Sequence, residues 1–252
     1  MSWKNDLDNA KKVFQNGTTK EKLDYIVEYY KLHIFIIVFV LYFIGSMIYT
    51  NVTAKDCILQ GLFLNTLSDS EAALELKDDF IREFSIDTDS EDVFFDSSLY
   101  YLTDAEAGTS TTAYETLQVI TAKSASGDID FMVADDPVLI EFAYDGYLYE
   151  LSEVLSDEQI KKYEPYFLYY DKAVLEELSN IDYTAEEIPE IILPDPSKPE
   201  LMEAPVPVMI NVTESERLSI LYPNSTQKYA IAFVVNGVNT EKIIDFLEYL
   251  IQ

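Results

Sequence analysis

The longest unbroken apolar stretch in the chain runs from residue 32 to residue 50, LHIFIIVFVLYFIGSMIYT, and contains no Asp, Glu, Lys or Arg. A helix rises about 1.5 Å per residue, so about 20 such residues cross the roughly 30 Å hydrocarbon core of a bilayer. Tyr29, Tyr30 and Lys31 precede the run and Tyr49 ends it, which puts amphipathic side chains at both headgroup levels. Together with Ile36, Phe39 and Phe43 inside the run, they form the predicted membrane anchor. Six lysines (Lys4, Lys11, Lys12, Lys20, Lys22 and Lys31) lie before the span, and only Lys55 stands close behind it. That asymmetry predicts a cytoplasmic tail over residues 1–31, a single transmembrane helix over 32–50, and an extracellular domain over 51–252. A signal peptide cleaved after Ala54 is the alternative, but so long a leader and so long an apolar run argue against it. Ahead of the span, TTKEKLDYIVEYY carries Leu23, Ile26 and Tyr30 on one stripe, which extends the helix backwards. Residues 5–15 read as a short amphipathic segment broken at Asn16-Gly17.

Beyond the span the pattern alternates between strand and helix. Cys57–Asn65 (CILQGLFLN) is almost continuously apolar, as expected of a strand covered on both faces. Ser68-x-x-Glu71 then reads as a capping box opening a helix with Ala73, Leu76, Phe80 and Phe84 at helical spacing. Val93–Tyr101 is a second predicted strand, 111–123 a second helix, and Ile129–Ala134 a third strand. Pro137 opens a third helix closed by Gly146. Short helices follow at Ser156-x-x-Gln159 and at 171–180. Six of the nine prolines crowd into 189–207, so the insertion at 184–207 is extended, because proline is excluded from helix interiors and central strands. Strand character returns at Val206–Val212, a turn falls at Tyr222-Pro223-Asn224, and Tyr229–Val235 leads into a final helix striped by Ile243, Leu247, Leu250 and Ile251. The fold class this predicts is α/β: one transmembrane helix, then a doubly wound, mainly parallel sheet with helices on both faces.

Charge sharpens the picture. The net charge is −29, and residues 51–252 hold 11 basic against 41 acidic residues. Such a domain repels phosphate backbones, so nucleic acid is excluded as a partner. Cys57 is the only cysteine, which leaves an extracellular domain held by packing alone and points to a bacterial, Gram-positive exterior. The only histidine, His33, sits at the membrane edge, so the outer domain has no Ser-His or Cys-His dyad and no nitrogen or sulfur metal cluster. Asp87–Asp92 (DTDSED) starts like a calcium loop but carries Asp92 where the loop needs glycine and Ser98 where it needs glutamate. Neither a metal nor a cofactor is expected, and no enzymatic activity.

The order strand, helix, strand, helix, then GDIDFMVADDPVLIEFAYDGYLYELSEVL, and the closing YAIAFVVNGVNTEKIIDFLEYL, resemble the extracellular solute-binding proteins of the type II periplasmic-binding class. In that family the third strand commonly carries an Asp followed by apolar residues. The next helix ends in a glycine before an apolar-x-x-Leu stretch, as in Gly146 to Leu151. The resemblance covers 56–155 and 204–252 and implies one lobe of such a protein. Family members close two lobes around a ligand, whereas only about 58 residues separate the third helix from the returning strand here, too few for a normal second lobe.

In open α/β sheets ligands lie beyond the carboxyl ends of the strands. The candidate ligand-binding residues are accordingly Asn65, Ser68, Ser97, Asp135, Asp136 and Asn236, suited to a polar or cationic ligand if they converge. For the aspartates the plainer reading is a turn, with Asp136 capping the helix before Pro137 and Asp135 merely exposed. The expected role is a membrane-anchored, solute-binding-like module that captures or senses a ligand beside a transporter or envelope complex. The alternative is a non-catalytic structural or interaction subunit. The expected partners are the lipid bilayer, another membrane protein such as a transporter, and a small polar solute.

Overall fold

The computed structural model describes residue 11 and residues 14–68, 70–103, 110–181 and 191–252. Two compact units divide the chain, Met1–Lys55 and Asp56–Gln252. In the first, a continuous 35-residue helix α1 spans Thr19–Thr53, so the polar TTKEKLDYIVEYY segment does extend the apolar run. Its stretch Lys31–Thr50 is long and apolar enough to cross a membrane, and none of it is buried. Membrane anchors and amino-terminal signal sequences share those properties. Lys31, Ile36, Phe39, Phe43 and Tyr49 are exposed, while the side chains of Tyr29 and Tyr30 lie outside the described residues. Near the end of α1, Thr50 and Thr53 donate their hydroxyls to the carbonyls of Ser46 and Tyr49 at 2.9 and 2.7 Å, an internal bond that keeps a hydroxyl satisfied without water.

The second unit is built on six strands: β1 Asp56–Phe63, β2 Glu91–Asp96, β3 Phe131–Asp135, β4 Phe167–Asp171, β5 Pro205–Asn211 and β6 Tyr229–Phe233. They lie in the order β2-β1-β3-β6-β5-β4. β2, β1 and β3 pair in parallel, and β6, β5 and β4 continue the sheet through antiparallel pairings. Four strands, β2, β1, β3 and β5, therefore share one direction. Side chains alternate across this sheet with a period of two. Phe131 and Val133 of β3, with Tyr229, Ile231 and Phe233 of β6, enter one core; Met132 and Ala134, with Ala230 and Ala232, enter the other.

Helices cover both faces. α2 (Ser70–Glu83) contributes Leu76 and Phe80 to the first core, and the carboxyl-terminal helix Thr240–Ile251 contributes Phe246 and Leu247. α3 (Thr111–Ser126) and α4 (Asp136–Tyr144) serve the second core with Ile120, Val138, Leu139 and Phe142. Aromatic rings dominate the first core: Phe246 stacks on Phe131 at 4.8 Å and meets Phe95 edge-on at 5.0 Å. Gly61 of β1 leaves room for this cluster, since a Cβ there would lie 2.2 Å from the Phe131 ring.

Several elements fall where the pattern places them, and two differences carry meaning. β4 (FLYYD) adds an edge strand that the periodicity did not single out. It is only five residues long and follows a proline, Pro165, so neither length nor alternation marks it. The second strand closes at Asp96, short of Tyr101, because the Asp96 carboxylate accepts from the backbone and hydroxyl of Ser98 and turns the chain. Part of the proline-rich insertion, 184–190, lies outside the described residues. The remainder is a fixed strap. Asp195 accepts from the backbone and hydroxyl of Ser197 at 3.0 and 2.6 Å and pairs with Lys198 at 2.7 Å. The Pro196 carbonyl accepts from Tyr169 of edge strand β4 at 2.9 Å. Further on, the buried Asp171 carboxylate takes the backbone N–H groups of Ala173, Glu203 and Ala204 at 2.8–3.0 Å. Burial alone would raise the Asp171 carboxyl, but these three donors hold it below its ordinary value.

Candidate functional site

The carboxyl end of β3 opens directly into α4, and the two aspartates at this junction face different ways. Asp135 occupies the N-cap position, with Pro137 in the first turn, and its side chain makes no capping bond. The residue preceding Pro137 is thus the first helical residue, and the cap position belongs to Asp135. Asp135 continues the Phe131–Val133 row of β3. Its charge acts on that face, adding to the burial that raises the Tyr222 and Tyr229 hydroxyls. Those two rings stack at 4.0 Å, and Tyr222 donates to the Leu64 carbonyl at 2.9 Å.

Asp136 belongs to the opposite face and lines a cavity of about 570 Å³. One wall is α4, which supplies Asp136, Pro137, Ile140 and Glu141. The strap forms the facing wall with Leu193, Pro194, Asp195 and Pro196, and Thr226, Gln227 and Lys228 close one end just before β6. Asp136 is 8% exposed, and its Oδ1 is buried with no hydrogen-bond partner. Burial pushes the carboxyl up to about 6, against the pull of Lys228 and with Asp135 and Asp195 adding to the rise. The other carboxylates of the cleft are engaged. Asp195 is held well below the ordinary carboxylate range by Lys198 and Ser197, and Glu141 accepts from the Tyr101 hydroxyl at 3.3 Å.

Lys228 also borders a second cavity of about 360 Å³, beyond the strap, with Tyr166, Ser197, Asn211 and Thr213. Polar groups there satisfy one another: Asn211 accepts from the Thr213 backbone at 2.9 Å, and the Thr213 hydroxyl bonds the Tyr229 backbone. It carries no group comparable to Asp136.

Of the residues expected at the strand ends, Asp136 alone lines the larger cleft. Asn65, Ser68 and Ser97 lie at the same end of the sheet but are used internally. Asn65, at φ 55°, bonds both backbone groups of Tyr101 at 2.9 and 2.7 Å. Ser68 donates to the Ile220 carbonyl at 2.5 Å, and the Ser97 carbonyl accepts from Thr66 at 3.1 Å. Asn236 sits at the opposite end, beyond β6, where its amide faces Ser124. An antiparallel β6 sends its carboxyl end away from that of β3. Lys228, Glu141 and Asp195 are cleft residues without a local motif in the sequence. The nearest signal is the Asp195-Pro-Ser-Lys198 turn pattern inside the proline run.

No family model matches the chain, and no curated protein matches it significantly. Among solved structures it is similar to an ABC substrate-binding protein from Listeria monocytogenes in complex with cycloalternan. The two are 12% identical, with a TM-score of 0.26, over 53% of this chain and 36% of that one. The chain thus matches about a third of that protein's length, and a score this low carries neither fold family nor ligand.

Proposed function

We propose that the chain is a membrane-anchored, non-catalytic binding module that holds a small polar solute in the cleft between α4 and the strap. The observation that carries this reading is the Asp136 carboxyl, buried and with no hydrogen-bond partner on Oδ1, in a residue that lines a ligand-sized cavity. Buried acceptors are almost always satisfied, and leaving one unmade costs about 1–3 kcal/mol. A site that tolerates such a group gains when a ligand supplies the missing donor. Anchoring rests on the uncharged stretch within α1 and on the lysines before it.

Thermal unfolding of the full chain, reconstituted in neutral nanodiscs and screened against amino acids, sugars, short peptides and amines, tests the reading. At least one solute should raise the melting temperature saturably, by an amount equivalent to about 2.7 kcal/mol at 100 times its Kd. Thr226→Trp, which fills the end of the cleft, should remove the shift. If no solute shifts the wild type, the binding module falls and an interaction subunit is the better reading. Protease added to intact cells should remove the acidic domain and leave a fragment containing Lys4 to Lys31; release of a soluble domain beginning at Lys55 would overturn the anchor.

A further inference from the structure

Resting on that reading of the cleft, we infer that its ligand is a primary ammonium on a compact apolar body, seated with its N–H groups against Asp136.

Anionic ligands are the first competitors, because a helix amino terminus ordinarily attracts them through free backbone N–H groups. Here its first two positions offer them no donor. The Asp136 N–H already donates to the Lys228 carbonyl at 3.1 Å, and Pro137 has no N–H. The facing wall is equally short of donors, since Pro194 and Pro196 have none on their backbones. Among the described lining residues there are three carboxylates, Asp136, Glu141 and Asp195, and one cation, Lys228; with Asp195 paired to Lys198, the balance inside still favours positive charge.

Among the carboxylates, Asp195 and Glu141 have partners on the protein, whereas the Asp136 carboxyl has a buried oxygen with none. A group that donates and carries a positive charge meets both demands, and charge-assisted bonds of this kind are about twice as strong as neutral ones. Lys228 does not meet them from the protein side: it is exposed and makes no ion pair within 4 Å among the described residues. Thr103, Thr226 and Gln227 add polar side chains to the lining, while Pro137, Ile140, Leu193, Pro194 and Pro196 form an apolar stretch that fits a hydrocarbon body.

The charged groups around Asp136 set how binding responds to pH. Asp135 on the same turn, Glu141 on the next turn of α4, Asp195 on the strap and Lys228 before β6 are its neighbours. With the Asp136 carboxyl raised to about 6, an ammonium must first displace its proton in acid. Affinity is full above that value and falls about tenfold for each unit below it.

Calorimetric titration of the full chain in neutral nanodiscs, with protein-free nanodiscs as the blank, tests this with three matched probes: 2-phenylethylamine, 2-phenylethanol and 3-phenylpropanoate. At pH 8 the amine should bind saturably and the alcohol and carboxylate should not. Its affinity should drop about tenfold at pH 5, and at least tenfold at pH 8 in Asp136→Asn, whose folding is verified by its own melting temperature. Equal binding of amine and alcohol, preference for the carboxylate, or an amine affinity that ignores pH would each overturn the ammonium assignment while leaving the cleft a binding site. Saturable binding of only a neutral solute from the wider screen, abolished by Thr226→Trp, would overturn it in the same way. Silence of every solute in both experiments would remove the cleft reading along with it.

Discussion

One aspartate precedes β3 and another follows it, and both are buried, yet they live in opposite conditions. Asp130 is fully buried and caged by donors: Gln60 N at 2.7 Å, Val238 N at 2.9 Å, Asn239 N at 3.2 Å and the Asn239 side-chain amide at 3.0 Å. Through them one carboxylate ties β1 and β3 to the loop that carries the last helix. Gly237 belongs to the same arrangement, since a Cβ there would lie 2.9 Å from the Asp130 backbone. Asp136, six residues further on and just past the other end of the strand, has a buried oxygen and no donor for it. A buried charge holds a fold together when every lone pair is met, and works against it when one is not. The satisfied end of β3 is therefore architecture, and the unsatisfied end is where a ligand has something to add.

The sharpest way to break this contrast is to delete the satisfied carboxylate. Asp130→Ala orphans four donors in the interior and should cost about 3–5 kcal/mol, on the order of 10 °C in the melting temperature of a domain this size. Thermal unfolding checks it; a loss smaller than that of any Asp136 variant would end the distinction. The strap tests the same logic at an intermediate scale. Asp171→Ala frees three backbone donors and should cost about 2 kcal/mol in a urea titration at pH 7. Because the Asp171 carboxyl is depressed in the fold, its contribution is complete above its unfolded value of about 3.8 and is lost as pH falls below that. The gap between wild type and variant should accordingly narrow in acid.

The smallest expected effect has the opposite sign. The Asp136 carboxyl is raised from 3.8 to about 6, so between these values the folded protein binds more protons than the unfolded one, and wild-type stability declines as pH rises through the window. Asp136→Asn removes that decline. It should stabilise the ligand-free protein at pH 7.5 by on the order of 1 kcal/mol, with the gain fading below about pH 4. Differential scanning calorimetry at the two pH values reads this directly. A clear destabilisation at pH 7.5 would make Asp136 a second structural carboxylate and erase the difference between the two ends of the strand.

Much of the architecture is legible in the chain because it follows from local pattern. An uncharged run longer than 18 residues dictates the apolar stretch of α1 wherever the chain is placed. Likewise the unbroken apolar character of FMVA and YAIAF reflects strands buried on both faces. Tertiary structure decided what those patterns leave free. The alternation cannot say in which direction β6 runs, and its antiparallel insertion between β3 and β5 separates Asn236 from the aspartates and brings Lys228 beside Asp136. Sequence likewise marks Asp135 and Asp136 as a pair, but Asp135 ends β3 and Asp136 opens α4, and only Asp136 lines the cleft. The proline run reads as extended from its composition alone. That it becomes a wall depends on Asp171 and Tyr169, distant partners whose bonds fix its path, because hydrogen bonds between remote segments leave no periodic trace in the chain that makes them.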